Sequence, residues 1–164
     1  MMRRIAVGVA GLLFLLCASS SFAGPVVIAA LTTEINTDPT SLGLVALKAS
    51  GSHAGIADAL NLRRATISVF RDNIESWEIA AALVKTDWDA LSAGDKQLFA
   101  ALLAAGRIDA TSASMRTIMT SMFPGGSVTL TNLAGVASRQ GSRSEQLWGT
   151  GASVSPADVS AALR

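Results

Sequence analysis

The sequence predicts an all-α fold, a compact bundle of six to eight short helices with one candidate short extended segment at 66–70. Half of the 164 residues are hydrophobic, so the chain can bury a sizeable core. Alanine is abundant and Tyr is absent, a composition that favours small helices over a sheet of β-branched strands. Apolar residues also recur at helical spacing between capping signals and Gly or Pro stops. We therefore expect a single helical domain at 24–164.

Residues 1–23 have the three-part pattern of a cleavable signal peptide. A basic start, Met-Met-Arg-Arg, precedes an unbroken apolar run at 5–17, and Ser-Phe-Ala at 21–23 has the small-x-small form of a signal-peptidase site. The run is short for a transmembrane helix, so no stable membrane span is expected after cleavage. Cleavage also removes Cys17, the only cysteine, which excludes disulfide and thiolate chemistry from the mature chain.

Helical periodicity divides the rest of the chain into short elements. The predicted helices cover 26–36, 54–61, 74–84, 92–106, 112–123, 129–139 and a last helix that begins at Ser155-Pro156.

In the first half of the chain, turn and capping residues set the limits of these helices. Pro39 ends the first helix, because the residue before a proline is driven out of the α region, and 46–51 is expected to be a link. Ser52 is the expected N-cap of the second helix. The β-branched residues at 66–70 favour an extended segment or an edge strand. In the third helix, Trp77 is expected to share a face with Ile74, Ala81 and Val84.

The helix over 92–106 is the best defined. Ser92 is a natural N-cap, Asp95 favours the positive end of the helix dipole, and Gly106 supplies the stop. Its predicted core face consists of Leu98, Phe99, Leu102 and Leu103.

In the second half, 112–123 carries a stripe of apolar residues that includes Met115, Met119 and Met122 at helical spacing. Methionines in this pattern are more often gap-filling core than an adaptable binding surface. Ser155, Pro156 and Asp158 form a strong start signal for the last helix.

No catalytic residue, cofactor-binding residue or metal ligand is predicted. His53 is the single histidine, and it has no partner that the sequence can name. The acid pairs Glu75/Glu78 and Asp87/Asp89 each begin a helix, where the dipole alone explains them. We therefore expect a protein that is not an enzyme and that uses no cofactor.

The charge distribution argues against a nucleic-acid partner. The formal net charge is +1, whereas phosphate binding needs a clustered basic face. The two small basic segments, 63–64 and 139–143, are interpreted as solvated surface.

Several short phrases, in order, resemble a family of small, mostly uncharacterised proteins of tailed bacteriophages. The first is Leu-Thr-Thr-Glu-Ile-Asn-Thr-Asp-Pro at 31–39, which is similar to the Leu-x-x-Glu-Leu/Ile-x-x-Asp-Pro start of that family. Others lie at 88–93, 106–109 and 130–134, and Gly-Ser-Arg-Ser-Glu-Gln-Leu-Trp at 141–148 is similar to its Gly-Ser-Arg-Ala-Glu-x-Leu phrase. The resemblance implies a non-enzymatic virion or tail accessory component that binds phage structural proteins.

One departure from that family leaves two settings open. The phage proteins begin shortly before the Leu-x-x-Glu phrase, whereas this chain carries the export-like leader at 1–23. If the leader is a start-site artefact, the virion is the expected location. If it is genuine, an exported helical protein that binds envelope proteins in the periplasm or outside the cell is the alternative. An intact mass that starts at Gly24 would support export. The oligomeric state is left open.

Overall fold

The computed structural model describes residues 24–164, and this part of the chain combines ten helices with four short strands. The helices are α1 (Ile28–Thr37), α2 (Leu44–Ala49), α3 (His53–Asn61), α4 (Ser76–Ala82), α5 (Lys85–Ala90), α6 (Ala93–Ala104), α7 (Ala113–Met122), α8 (Val128–Ala137), α9 (Arg143–Trp148) and α10 (Pro156–Ala162). The strands are β1 (Arg64–Phe70), β2 (Ile74–Glu75), β3 (Arg107–Ile108) and β4 (Ser138–Gly141). The signal peptide predicted at 1–23 lies outside the described residues.

The prediction of an all-α helical bundle is wrong, because the strands pair into two small antiparallel sheets. β1 pairs with β4, so that Val69 lies opposite Arg139. β2 pairs with β3, and Ile74 lies opposite Ile108. The extended segment expected at 66–70 lies inside β1. Amino-acid composition reflects only the local preference of residues for helix or strand. A strand is also stabilised by hydrogen bonds to a partner that can lie far away in the sequence.

Gly141 fits the β1–β4 sheet for a steric reason. A Cβ atom at this position would lie 2.5 Å from Cγ1 of Val69, closer than non-bonded carbon atoms approach. The glycine therefore lets the two strands lie close together over a buried valine.

Two helix boundaries and one additional helix differ from the sequence prediction. Ile74 and Glu75 belong to β2, so α4 begins only at Ser76, and α8 gives way to β4 after Ala137. α2 forms where a link was expected. Its amino end is held by Asp38, whose carboxylate accepts hydrogen bonds from the backbone N–H groups of residues 42, 43 and 44.

Capping serines start helices where the sequence predicts them. The side chain of Ser52 accepts from Gly55 N–H in α3, and that of Ser92 accepts from Asp95 N–H in α6. Ser155 and Asp158 form a capping box at α10. These signals were readable because donor and acceptor lie within three residues of each other.

Most of the buried apolar residues fall into two clusters instead of one bundle interior. The terminal core joins both ends of the described chain, through α1, α2, α3, α9 and α10, and its largest fully buried side chains are Leu31, Ile35, Leu44, Ile56, Leu60, Val154 and Val159. The central core contains Ile74, Ile79, Ala82, Leu91, Phe99, Leu102, Ile108, Ala110, Met119, Met122, Phe123 and Leu133. The β1–β4 sheet contacts α9 of the terminal core and α8 beside the central core, so it links the two.

Candidate functional site

An apolar pocket lies in the wall of the central core, between β1, α4, α7 and α8. Its volume is about 350 Å³, which falls in the usual range of small-molecule sites, about 300–1,000 Å³. Buried side chains form its floor and exposed ones form its rim. The floor includes Ile74, Ile108 and Met119, and the rim includes Phe70, Thr120 and Ala134.

Within the described part of the chain, Arg116 supplies the charged group of this pocket. Its guanidinium carbon lies 4.1 Å from the centroid of the Phe70 ring, a cation–π contact. Nη1 donates to the backbone carbonyls of Ala110 at 2.6 Å and Thr111 at 2.8 Å. None of the ion pairs among residues 24–164 includes Arg116. A half-buried guanidinium is therefore fixed at the pocket, and no carboxylate of residues 24–164 forms an ion pair with it within 4.0 Å.

The sequence identified part of this pocket as core and missed its charge. Met119 is buried and Met115 is half-buried, as expected of core methionines, but both also line the pocket. The sequence prediction does not include Arg116. The signal in the sequence is a lone basic residue next to Met115 on an amphipathic helix.

A shallower groove, called here the Trp77 groove, runs between α4 and α8. It is lined by Trp77, Ala81, Asn132 and Gly135 among others. Trp77 is 70% exposed, although the sequence prediction placed it on one face with Ile74, which is buried.

The exposure of Trp77 has a clear cause. The sequence prediction runs one helix through Ile74, but Ile74 lies in β2, and the residues that α4 buries are Ile79 and Ala82. Exposed tryptophans are unusual on free surfaces and are enriched at the centres of protein interfaces.

The first and last phrases of the phage resemblance meet in a buried ion pair. Arg143 in α9 donates through Nε and Nη2 to the two carboxylate oxygens of Glu34 in α1, at 2.6 and 2.8 Å. Glu34 is buried and the Arg143 side chain is largely covered. The ion pair between the two phrases therefore joins α1 to α9, which is a structural role.

A second buried pair ties α9 to the β1–β4 sheet. Arg139 donates to both carboxylate oxygens of Glu145, at 2.7 and 3.1 Å. Glu145 also closes a capping box with Ser142 and accepts from Gly151 N–H at 3.0 Å. The interpretation of 139–143 as solvated surface is therefore wrong for Arg139 and Arg143, whose guanidinium groups face inward on carboxylates.

The surroundings of Glu145 favour its ionised form. The hydrogen bond from Arg139, aided by the backbone N–H groups of Gly151 and Ser142, outweighs burial and lowers the pKa of Glu145 from 4.5 to about 2. The pKa of Glu78 is lowered in the same way, chiefly by its hydrogen bond from Arg71.

Acidification is expected to destabilise the protein through Glu145. Because the unfolded carboxyl has the higher pKa, its contribution is complete above pH 4.5 and is lost as the pH falls toward about 2. A shift of this size corresponds to about 3 kcal/mol. Denaturant unfolding of the wild type and Glu145→Gln at several pH values checks this. The wild type should lose stability more steeply below pH 4.5, and parallel pH dependences would contradict the assignment.

The acid pairs have partners that explain their positions. Glu75 and Glu78 form a capping box at the start of α4, and Glu78 also pairs with Arg71. Asp87 accepts from Thr129 N–H at 2.9 Å, and Asp89 pairs with Lys85 at 2.6 Å. These carboxylates hold helices and turns together.

His53 is the first residue of α3 and is half-buried. No group of three or more His, Cys, Asp or Glu side chains in residues 24–164 could hold a metal ion. None of the helices in this part of the chain has the length and apolar character needed to cross a membrane.

Comparison of the chain with family models, with curated proteins and with solved structures gives no match.

Proposed function

We propose that this chain is a non-enzymatic interaction protein that binds a protein partner through the Trp77 groove. The observation that carries the proposal is the 70% exposure of the Trp77 side chain at the edge of a concave surface. A tryptophan offers a large apolar area at low cost in side-chain entropy, and such residues supply much of the binding energy of protein interfaces.

The groove beside Trp77 suits an inserted side chain of a partner. Ala81 and Gly135 are exposed, and no heavy atom lies within 4 Å of a Cβ atom added at Gly135. The Asn132 amide donates to the Ala82 carbonyl at 3.1 Å, which fixes its orientation. Glu78 and Thr131 also line the groove, so it offers a partner both apolar and polar contacts.

The phage resemblance supplies the setting that we propose, a virion or tail accessory component whose partner is a phage structural protein. The residues of the first and last phrases hold the fold together through Glu34 and Arg143. The Trp77 groove lies outside the first and last phrases, and Thr131 and Asn132 of the phrase at 130–134 form part of its lining. The export-like leader at 1–23 supports the alternative setting, an exported protein whose groove binds an envelope protein.

Trp77→Ala is expected to reduce the amount of the chain that remains with phage particles. The particles are purified from a lysate of cells that carry the gene, and the chain is quantified by mass spectrometry. Loss of a central interface tryptophan commonly costs at least about 2 kcal/mol of binding energy, which corresponds to a loss of about 30-fold in affinity.

Val45→Ala is the matched control for this experiment. Val45 is also an exposed apolar residue, at 52%, but it lies on α2 at the terminal core. Retention of this variant at the wild-type level supports the groove. Particles that lack the wild-type chain, or that retain the Trp77→Ala chain in full, would contradict the proposal.

A further inference from the structure

We infer that the apolar pocket beside Arg116 is a binding site for an aliphatic carboxylate. The hydrocarbon chain of the ligand would lie in the pocket, and its carboxylate would bind the guanidinium. The inference goes beyond the proposed function and does not depend on the protein partner. It stands on the size of the pocket, the apolar character of its floor and the single positive charge at its wall.

The pocket is large enough for a medium-length hydrocarbon chain. A dry cavity of about 150 Å³ lined by Leu, Ile and Phe holds benzene. By the same proportion, the 350 Å³ here corresponds to about fourteen carbon atoms. The buried floor, which includes Ile74, Ile108 and Met119, offers an unbranched chain apolar contact and no buried charge.

The charge of the pocket selects the head group of the ligand. Among the described residues, its wall contains Arg116 and no Asp or Glu. Nη1 of Arg116 is engaged by two backbone carbonyls, and the face of the guanidinium lies on Phe70. These contacts orient the group before a ligand arrives. An arginine fixed in this way is suited to a carboxylate, which it can bind through two parallel hydrogen bonds.

The position of Arg116 agrees with a ligand whose hydrocarbon chain enters the pocket from the protein surface. Arg116 is half-buried, while its neighbour Phe70 is 44% exposed and Thr120 is exposed. The head group would thus lie at the rim, where water still reaches it, and the chain would extend toward the buried floor. This arrangement avoids the cost of burying an unpaired charge.

The test uses decanoate as the probe and 1-decanol, which has the same chain without a charge, as the matched ligand. Binding to the full chain is measured by calorimetry and by the methyl NMR signals of the methionines. We expect one decanoate per chain, with shifts of the Met115 and Met119 signals and little change at Met122, which lies in the same helix but outside the pocket wall. Decanol should bind more weakly.

Two variants separate the roles of charge and space. Arg116→Gln is expected to weaken decanoate binding by about 10- to 100-fold, the usual value of hydrogen bonds to a charged group. It should leave decanol binding nearly unchanged. Ala134→Phe should weaken the binding of both ligands. Because Ala134 lies at an exposed rim position, this variant should fold, and it tests the pocket even if Arg116→Gln does not fold.

Several results would overturn the inference. These are no decanoate binding at millimolar concentration, decanol binding as tight as decanoate binding, or shifts that are as large at Met122 as at Met119. Unchanged decanoate affinity in the Ala134→Phe variant would also exclude this pocket. The particle experiment with Trp77→Ala has a separate outcome, so failure of one proposal does not obscure the other.

Discussion

Arg143→Met is expected to lower the free energy of unfolding by about 3–5 kcal/mol. The substitution removes the guanidinium that donates to both carboxylate oxygens of Glu34. Glu34 is buried, so its charge would be left without a partner in a poorly solvated place. Chemical denaturation followed by circular dichroism measures the loss.

The matched control for this prediction is Lys85→Met, which breaks an exposed ion pair. Lys85 and Asp89 lie on the solvent side of α5, and exposed pairs contribute little to stability. The Arg143→Met change should also cost less when Glu34 is already Gln, because the partner charge is then absent. Equal losses in Arg143→Met and Lys85→Met would show that the ends of the described chain are not joined by this pair.

Phe99→Ala is expected to lower the free energy of unfolding by about 3–5 kcal/mol through the central core. Phe99 is 1% exposed and meets Trp88 and Phe123 in edge-to-face contacts, with ring centroids 5.8 and 5.9 Å apart. Removing the ring leaves a cavity and ends both aromatic contacts. Thermal and denaturant unfolding measure the effect.

The neighbouring residue provides the control for Phe99. Leu98 is 45% exposed, although the sequence placed both residues on the core face of the same helix. Leu98→Ala should change stability by no more than about 0.5 kcal/mol. A loss at Leu98 that equals the loss at Phe99 would show that α6 buries a different face.

The sequence predicted features whose cause lies within a few residues. The Ser52, Ser92 and Ser155 caps each depend on a backbone N–H group three residues further along the chain, so the local pattern was sufficient. The β1–β4 and β2–β3 pairs depend on partners that are remote in sequence. Neither Ser-Arg-Gln-Gly in β4 nor Arg-Ile in β3 carries a strand pattern of its own.

The site residues were harder to predict for two reasons. The sequence prediction groups Trp77 with Ile74 on one helical face, and this grouping fails because the backbone at Ile74 is extended. The pocket is a space between side chains of several elements, and the sequence of any single segment does not predict it. The basic residues Arg139 and Arg143 were interpreted as surface because their partners, Glu145 and Glu34, become visible only after folding.

We propose that this chain acts by binding a protein partner at the Trp77 groove, and site-specific photo-crosslinking is the sharpest test of this binding. A photoreactive phenylalanine analogue replaces Trp77 in one version of the chain and the exposed Val45 in another, and each is crosslinked within purified particles. We predict an adduct with a particle structural protein from position 77 and none from position 45. Adducts of equal yield from both positions, or none from position 77 in particles that contain the chain, would contradict the claim.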